Sequence, residues 1–255
     1  MSYVKIDVQN KIATVTMAHA PANALTDDMY IDLTHAFYEL GEREDVAIIV
    51  LRAEGKIFCG GNDTGAFSCF DTRTAAEEAA LRCADMCSAI WGGKKPVIAA
   101  VQGACMGAGW AMAAVCDFII AGEGVKFGMP EINLGIPAAG VFTKMCLPMH
   151  MAKYYSFTGD PILAEDLHRW GCVMKVVPKD QVWAEADAFA QRIASSCYRA
   201  LACFHQNFNQ NMELHIRDQF LVEQHSFMDN MLGSHDFKEA IDAHNEKRKP
   251  VFNGK

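Results

Sequence analysis

The chain has 255 residues, 51% of them apolar and 21% charged, with a formal net charge of −8. That is ample material for one large buried core, and it excludes a disordered chain. The acidic balance argues against a nucleic-acid partner, because phosphate neutralisation needs clustered Lys and Arg. The longest apolar stretch, Ala104 to Cys116, is too short and too glycine-rich to span a bilayer, so no membrane partner is expected. The first ten residues alternate polar and apolar side chains and show no signal-peptide core, which predicts a cytoplasmic location. The ten cysteines include no CxxC pair, and the nine histidines no HExxH. We read the cysteines as reduced, mostly buried thiols and expect no metal site.

In chain order, Tyr3 to Val8 and Ile12 to Met17 alternate and predict an opening hairpin. Thr26 has the placement of an N-cap for a helix from Asp27 to about Gly41, with acids in its first turn. Val46 to Leu51 is a continuous apolar run, the mark of a strand buried on both faces. A glycine-rich turn, Phe58 to Asp63, follows it. Residues 74–92 carry helical periodicity. Val97 to Val101 predicts another buried strand, Gly103 to Gly109 a second glycine-rich turn, Trp110 to Val115 an apolar helix, and Phe118 to Ala121 a third strand. Residues 162–170 and 181–196 read as helices around a short strand, Val173 to Val177. From 198 onward the chain reads as wholly helical. This strand, turn and helix repetition is α/β grammar, with a core over 1–195 and a helical region over 196–255.

Glycines at a strand end let a ligand approach bare backbone. The amides of Gly60, Gly61 and Asn62, and those of Gly107, Ala108 and Gly109, could converge on an oxygen; taken alone, each turn reads rather as glycines that permit tight packing. The second set also opens a helix, whose dipole favours negative charge there. Neither turn matches a P-loop or GxGxxG pattern.

Several segments stand in a particular order: Asn23-Ala24-Leu25, Ile57 to Asp63, Pro96 to Gly103, Met106 to Gly109, Cys116 to Ala121, Phe127 to Pro137 and Glu246 to Phe252. Together they resemble the crotonase (enoyl-CoA hydratase/isomerase) superfamily over nearly the whole chain. The resemblance implies an α/β ββα spiral with a C-terminal helical trimerisation extension. It also implies homotrimers or dimers of trimers, acyl-CoA thioester substrates, and no cofactor beyond the CoA of the substrate. Carried over by motif, the amides of Asn62 and Ala108 hold the thioester oxygen as an enolate. Ala22, Ala24, Leu25, Gly60, Gly61, Asn62 and Asp63 line the CoA path, and Gly107, Trp110 and Ala111 are further substrate-binding positions.

Family hydratases use two glutamates to hold and split a water. The later one is present as Glu131; the earlier position holds Ala111. A single carboxylate is suited to moving one proton between carbons, and family members similar in this respect are 3-enoyl to 2-enoyl-CoA isomerases. The alternatives are a hydratase or dehydratase acting on an unusual acyl-CoA, a decarboxylase, and an inactive acyl-CoA-binding scaffold. The carrier is CoA or an acyl-carrier protein. Asp63, Asp71, Glu78 and Asp85 are other carboxylates near the first turn. Asp117 reads as structural, Trp110 and Met112 as pocket wall and core. Lys247, Arg248 and Lys249 read as a solvated tail within reach of CoA phosphates.

Overall fold

The opening hairpin joins strands β1 (Val4–Gln9) and β2 (Ile12–Met17) through Asn10 and Lys11, at φ 52° and 66°. Two consecutive positive φ values make the turn twist with the strands. The computed structural model describes residues 3–63, 72–138 and 140–254. Helix α1 (Asp27–Glu42) starts as predicted, with the Thr26 hydroxyl accepting from Met29 N at 3.3 Å. After strand β3 (Ile48–Ala53) comes α2 (Arg73–Trp91), capped by Thr72. Strands β4 (Val97–Val101) and β5 (Cys105–Met106) lead to α3 (Ala108–Ala114). Then come β6 (Phe118–Gly122), β7 (Lys126–Gly128) and a 3-10 turn at Pro130–Leu134. Helices α4 (Gly140–Cys146) and α5 (Met149–Thr158) precede β8 (Ile162–Leu163), α6 (Ala164–Arg169), β9 (Val173–Val177) and α7 (Val182–Ala194). Three more helices close the chain: α8 (Tyr198–Gln210), α9 (Ile216–Asn230) and α10 (His235–Asn245).

Six strands form one sheet in the order β1-β2-β3-β4-β6-β9, parallel except for the hairpin. A second, three-stranded sheet runs β5-β7-β8. The apolar runs are explained by burial on both faces. Along β3 and β4, Ile49, Leu51, Ala53, Val97, Ala99 and Val101 enter the main core with α1, α2 and α3. Their neighbours Ile48, Val50, Ile98 and Ala100 pack on the other face against Val182, Ala186 and Ala190 of α7.

Three expectations are corrected. Strand β3 begins at Ile48 rather than Val46, because its ladder to β2 starts at Ile12↔Ile48. Residues 162 and 163 are strand rather than helix, drawn into the small sheet by β7. The C-terminal region is broken at 211–215 and 231–234, where Gly233 takes φ 82° and the Ser234 hydroxyl accepts from Phe237 N. Asp117 is structural: its carboxylate accepts from Val97 N at 2.7 Å and meets His205 Nδ1 of α8 at 2.9 Å. Every described cysteine is free, and Cys69 lies outside the described residues. Among the described residues, no helix is long and apolar enough to cross a membrane.

Candidate active site

The parallel strands β3 and β4 end on the same side of the sheet, the edge where α/β folds bind ligands. Two glycine turns leave from there. The first is held by a neighbouring loop. Buried Asn23, at φ 49°, donates from Nδ2 to Glu54 O at 2.9 Å and Ile57 O at 2.8 Å, while its Oδ1 accepts from His19 N at 2.8 Å. This staple lays residues 22–25 along the turn. Gly60 N donates to Ala22 O, Leu25 N to Gly61 O, and Asp63 N to Leu25 O. The ladder skips the Asn62 amide. The Ala24 carbonyl accepts from His19 Nδ1 at 2.8 Å.

The second turn is tied to the first by Met106 N donating to Cys59 O, and to β7 by Gly107 N donating to Gly128 O. Gly61, at φ +102°, brings the two together: a Cβ there would stand 3.2 Å from Met106 O and 3.8 Å from Ala108 N. Ala108 is the first residue of α3, so its N–H has no acceptor within the helix. Among the described residues, neither the Asn62 nor the Ala108 amide has an acceptor.

Glu131 stands over this junction. Pro130 opens its 3-10 turn and Gly135, at φ +77°, closes it. A Cβ on Gly107 would lie 2.1 Å from Glu131 Oε1. Only a glycine leaves the carboxylate this seat, and φ +57° also favours one. Oε2 is buried without a hydrogen-bond partner. Burial therefore raises the Glu131 pKa above the ordinary glutamate range.

Asn62, Ala108, Ala111, Met129 and Glu131 line one cavity of about 420 Å³. Its far wall is a face of α2, presenting Ala76, Ala79, Ala80, Cys83 and Ala84. Ile136 and Phe142 add to the apolar lining. Behind it, buried Tyr30 donates a short hydrogen bond to Asn62 Oδ1, and burial pushes the Tyr30 pKa up.

The structure thus brings together Glu131, Asn62, Ala108, Gly61, Gly107 and Ala111. It takes Trp110 out of the pocket wall: the indole is fully buried, packs on Phe127, and donates to Thr143 Oγ1 at 3.1 Å. The helical period turns Ala108 and Ala111 to the cavity and Trp110 away from it. Met112 is core. Glu78 and Asp85 are exposed and off the cavity, and Asp71 lies outside the described residues. Lys247 and Lys249 are exposed, while Arg248 is paired with Glu239 and Glu246. Among the described residues, no group of three His, Cys, Asp or Glu could hold a metal ion. The α2 wall and Tyr30 were not anticipated. The signal for the wall was the small-residue spacing 76, 79, 80, 83, 84 on a helix already predicted; nothing in the sequence pointed to Tyr30.

Comparison with known proteins bears on the family and the fold. The family described as enoyl-CoA hydratase/isomerase matches residues 7–255. A Rhodococcus jostii (7aS)-7a-methyl-1,5-dioxo-2,3,5,6,7,7a-hexahydro-1H-indene-carboxyl-CoA hydrolase is 30% identical over 88% of each chain. A probable enoyl-CoA hydratase of Bacillus subtilis is 29% identical over the full length of both. The crystal structure of a Mycobacterium smegmatis enoyl-CoA hydratase superposes with a TM-score of 0.93 at 29% identity, covering 99% of each chain. With its fold and nearly its whole length matched, this chain belongs to the enoyl-CoA hydratase/isomerase family of the crotonase superfamily, which acts on acyl-CoA thioesters.

Proposed function

We propose that the chain is a single-base enoyl-CoA isomerase converting 3-enoyl to 2-enoyl thioesters. One observation carries the reading: Glu131 is the only carboxylate among the described residues lining the cavity; the motif resemblance maps a hydratase's other glutamate onto Ala111, which also lines it. In this mechanism the Asn62 and Ala108 amides receive the thioester oxygen. Glu131 takes a proton from Cα, and the charge moves to that oxygen as a dienolate. Donors fixed in advance stabilise this charge without reorganising. The proton then returns at Cγ, leaving the double bond conjugated with the carbonyl. A base that must also give its proton back works best with a pKa nearer neutrality, which agrees with the upward shift at Glu131.

The test is spectroscopic. A 3-enoyl-CoA should gain the absorbance of a conjugated thioester, and a 2-enoyl-CoA should not lose it. Loss from the second substrate would overturn the reading in favour of a hydratase. The short side chains of the α2 wall favour that second reading for a wide acyl group, with water placed by the substrate itself. Assembly as a homotrimer or dimer of trimers forms part of the proposal. It is supported by the exposed Phe204, Phe208, Ile216 and Phe220 of the C-terminal helices.

A further inference from the structure

We propose that Tyr30 is a positioning residue for the thioester grip: through the Asn62 side chain it fixes the direction of the Asn62 amide. The inference deepens the proposed function and rests on one part of it, the seating of the thioester oxygen on the Asn62 and Ala108 amides.

The Asn62 amide belongs to the peptide that joins it to Gly61. Leu25 N donates to the carbonyl of that peptide at 2.8 Å. A trans peptide is planar, with its C=O and N–H on opposite sides, so the Asn62 N–H points away from Leu25. The tilt of the plane depends on rotation at either end. At the Gly61 end, with φ +102°, no side chain limits that rotation. At the Asn62 end there is a side chain, and it is held: the Tyr30 hydroxyl donates to Asn62 Oδ1. Asp63 N, donating to Leu25 O at 3.0 Å, ties the peptide that follows.

The partners in all three ties come from one short stretch of chain. Leu25 ends the loop, Thr26 caps α1 by accepting from Met29 N at 3.3 Å, and Tyr30 follows one turn later. Tyr30 N donates to Thr26 O at 3.0 Å, and Tyr30 O accepts from Thr34 Oγ1 at 2.7 Å, so the ring springs from a fixed backbone. Tyr30 is 5% exposed and stands behind the cavity rather than in its lining, so its hydroxyl acts on Asn62 and not on the substrate. Burial keeps the phenol protonated, and it adds no charge beside the enolate. A hydrogen bond weakens steeply as its angle opens. That loss is felt more by the charged enolate than by the neutral thioester, so it belongs in kcat rather than in binding.

The experiment reads the carbonyl itself. Butanoyl-CoA is saturated, so neither an isomerase nor a hydratase turns it over. With a heavy carbon isotope at the thioester carbonyl, its infrared stretch should fall on binding the unmodified protein, because the two amides polarise the bond. In Tyr30→Phe that fall should shrink and kcat on a 3-enoyl-CoA should drop about tenfold, with the Kd of butanoyl-CoA nearly unchanged. Asn62→Ala keeps the amide and removes its handle. It should show the same losses, and adding Tyr30→Phe to it should cost nothing more. A hydroxyl that only supported the fold would lower Tm and leave the stretch in place. If Tyr30→Phe lowers the stretch as far as the unmodified protein does, or if the two substitutions add in full, the proposal fails and the isomerase reading stands. If the unmodified protein does not shift the stretch, the seating of the oxygen falls and takes this proposal with it. If it shifts the stretch but converts no 3-enoyl-CoA, the isomerase reading alone falls, and the stretch in Tyr30→Phe decides the proposal.

Discussion

The two walls of the cavity are made in different ways. One is main chain: the turns at Gly60–Asn62 and Gly107–Ala108 are fixed by hydrogen bonds to residues 22–25, Cys59 and Gly128. The other is side chain: a helix face of alanines and one cysteine, with Glu131 reaching over the junction. The first wall depends on backbone angles and tolerates little. The second depends on the size and charge of single side chains, so it is where acyl preference and proton chemistry can be altered without disturbing the fold.

The contrast can be tested from its largest effect downward. Glu131→Gln keeps the shape of the side-chain wall and removes its base. Turnover should fall about a thousandfold with acyl-CoA affinity nearly unchanged, measured as kcat against Kd. A matching loss of affinity would mean the carboxylate holds the site together. Gly107→Ala strikes the main-chain wall. The new methyl displaces the Glu131 carboxylate and strains a φ of +57°, so kcat should drop about a hundredfold while the protein still folds. Full activity in that variant would break the distinction between the walls.

Asn23→Ala removes the staple behind the first turn. It leaves His19 N, Glu54 O and Ile57 O without their partner and should destabilise by about 3 kcal/mol. That corresponds to a Tm lower by roughly 6–12 °C, read by thermal unfolding. The smallest effect is in pH dependence. As a base, Glu131 must be ionised, so kcat/KM should fall with acid through a pKa above the ordinary glutamate range. In folding, this group binds its proton more tightly native than unfolded. Its contribution to stability is therefore greatest below the ordinary glutamate range and is lost as pH rises through the elevated value. Glu131→Gln should remove that slope.

Much of the sheet was legible because its strands are buried on both faces. Val97–Val101 and Val173–Val177 coincide with the predicted strands, and the helix capped by Thr26 ends within a residue of its expected end. Apolar runs do not mark where pairing starts, which is why β3 begins two residues late. Ile162 and Leu163 form a strand only because β7 offers an edge, a tertiary cause invisible to local pattern. The glycine turns and Glu131 were legible as motifs, while their meeting depends on distances between elements far apart in sequence. Trp110 was misplaced because a helix apolar on every side carries no facing signal.

The seat of Glu131 on Gly107 has a consequence for how such a site changes over many generations. Gly61 and Gly107, two glycines at positive φ whose added Cβ would press on Met106 O and on Glu131 Oε1, come one residue ahead of Asn62 and Ala108. A map of mutational tolerance would therefore flag the hinge rather than the hand. Reaction type can drift through exchanges at Ala111 or along the α2 face, while the grip on the thioester is inherited unchanged with the course of the chain.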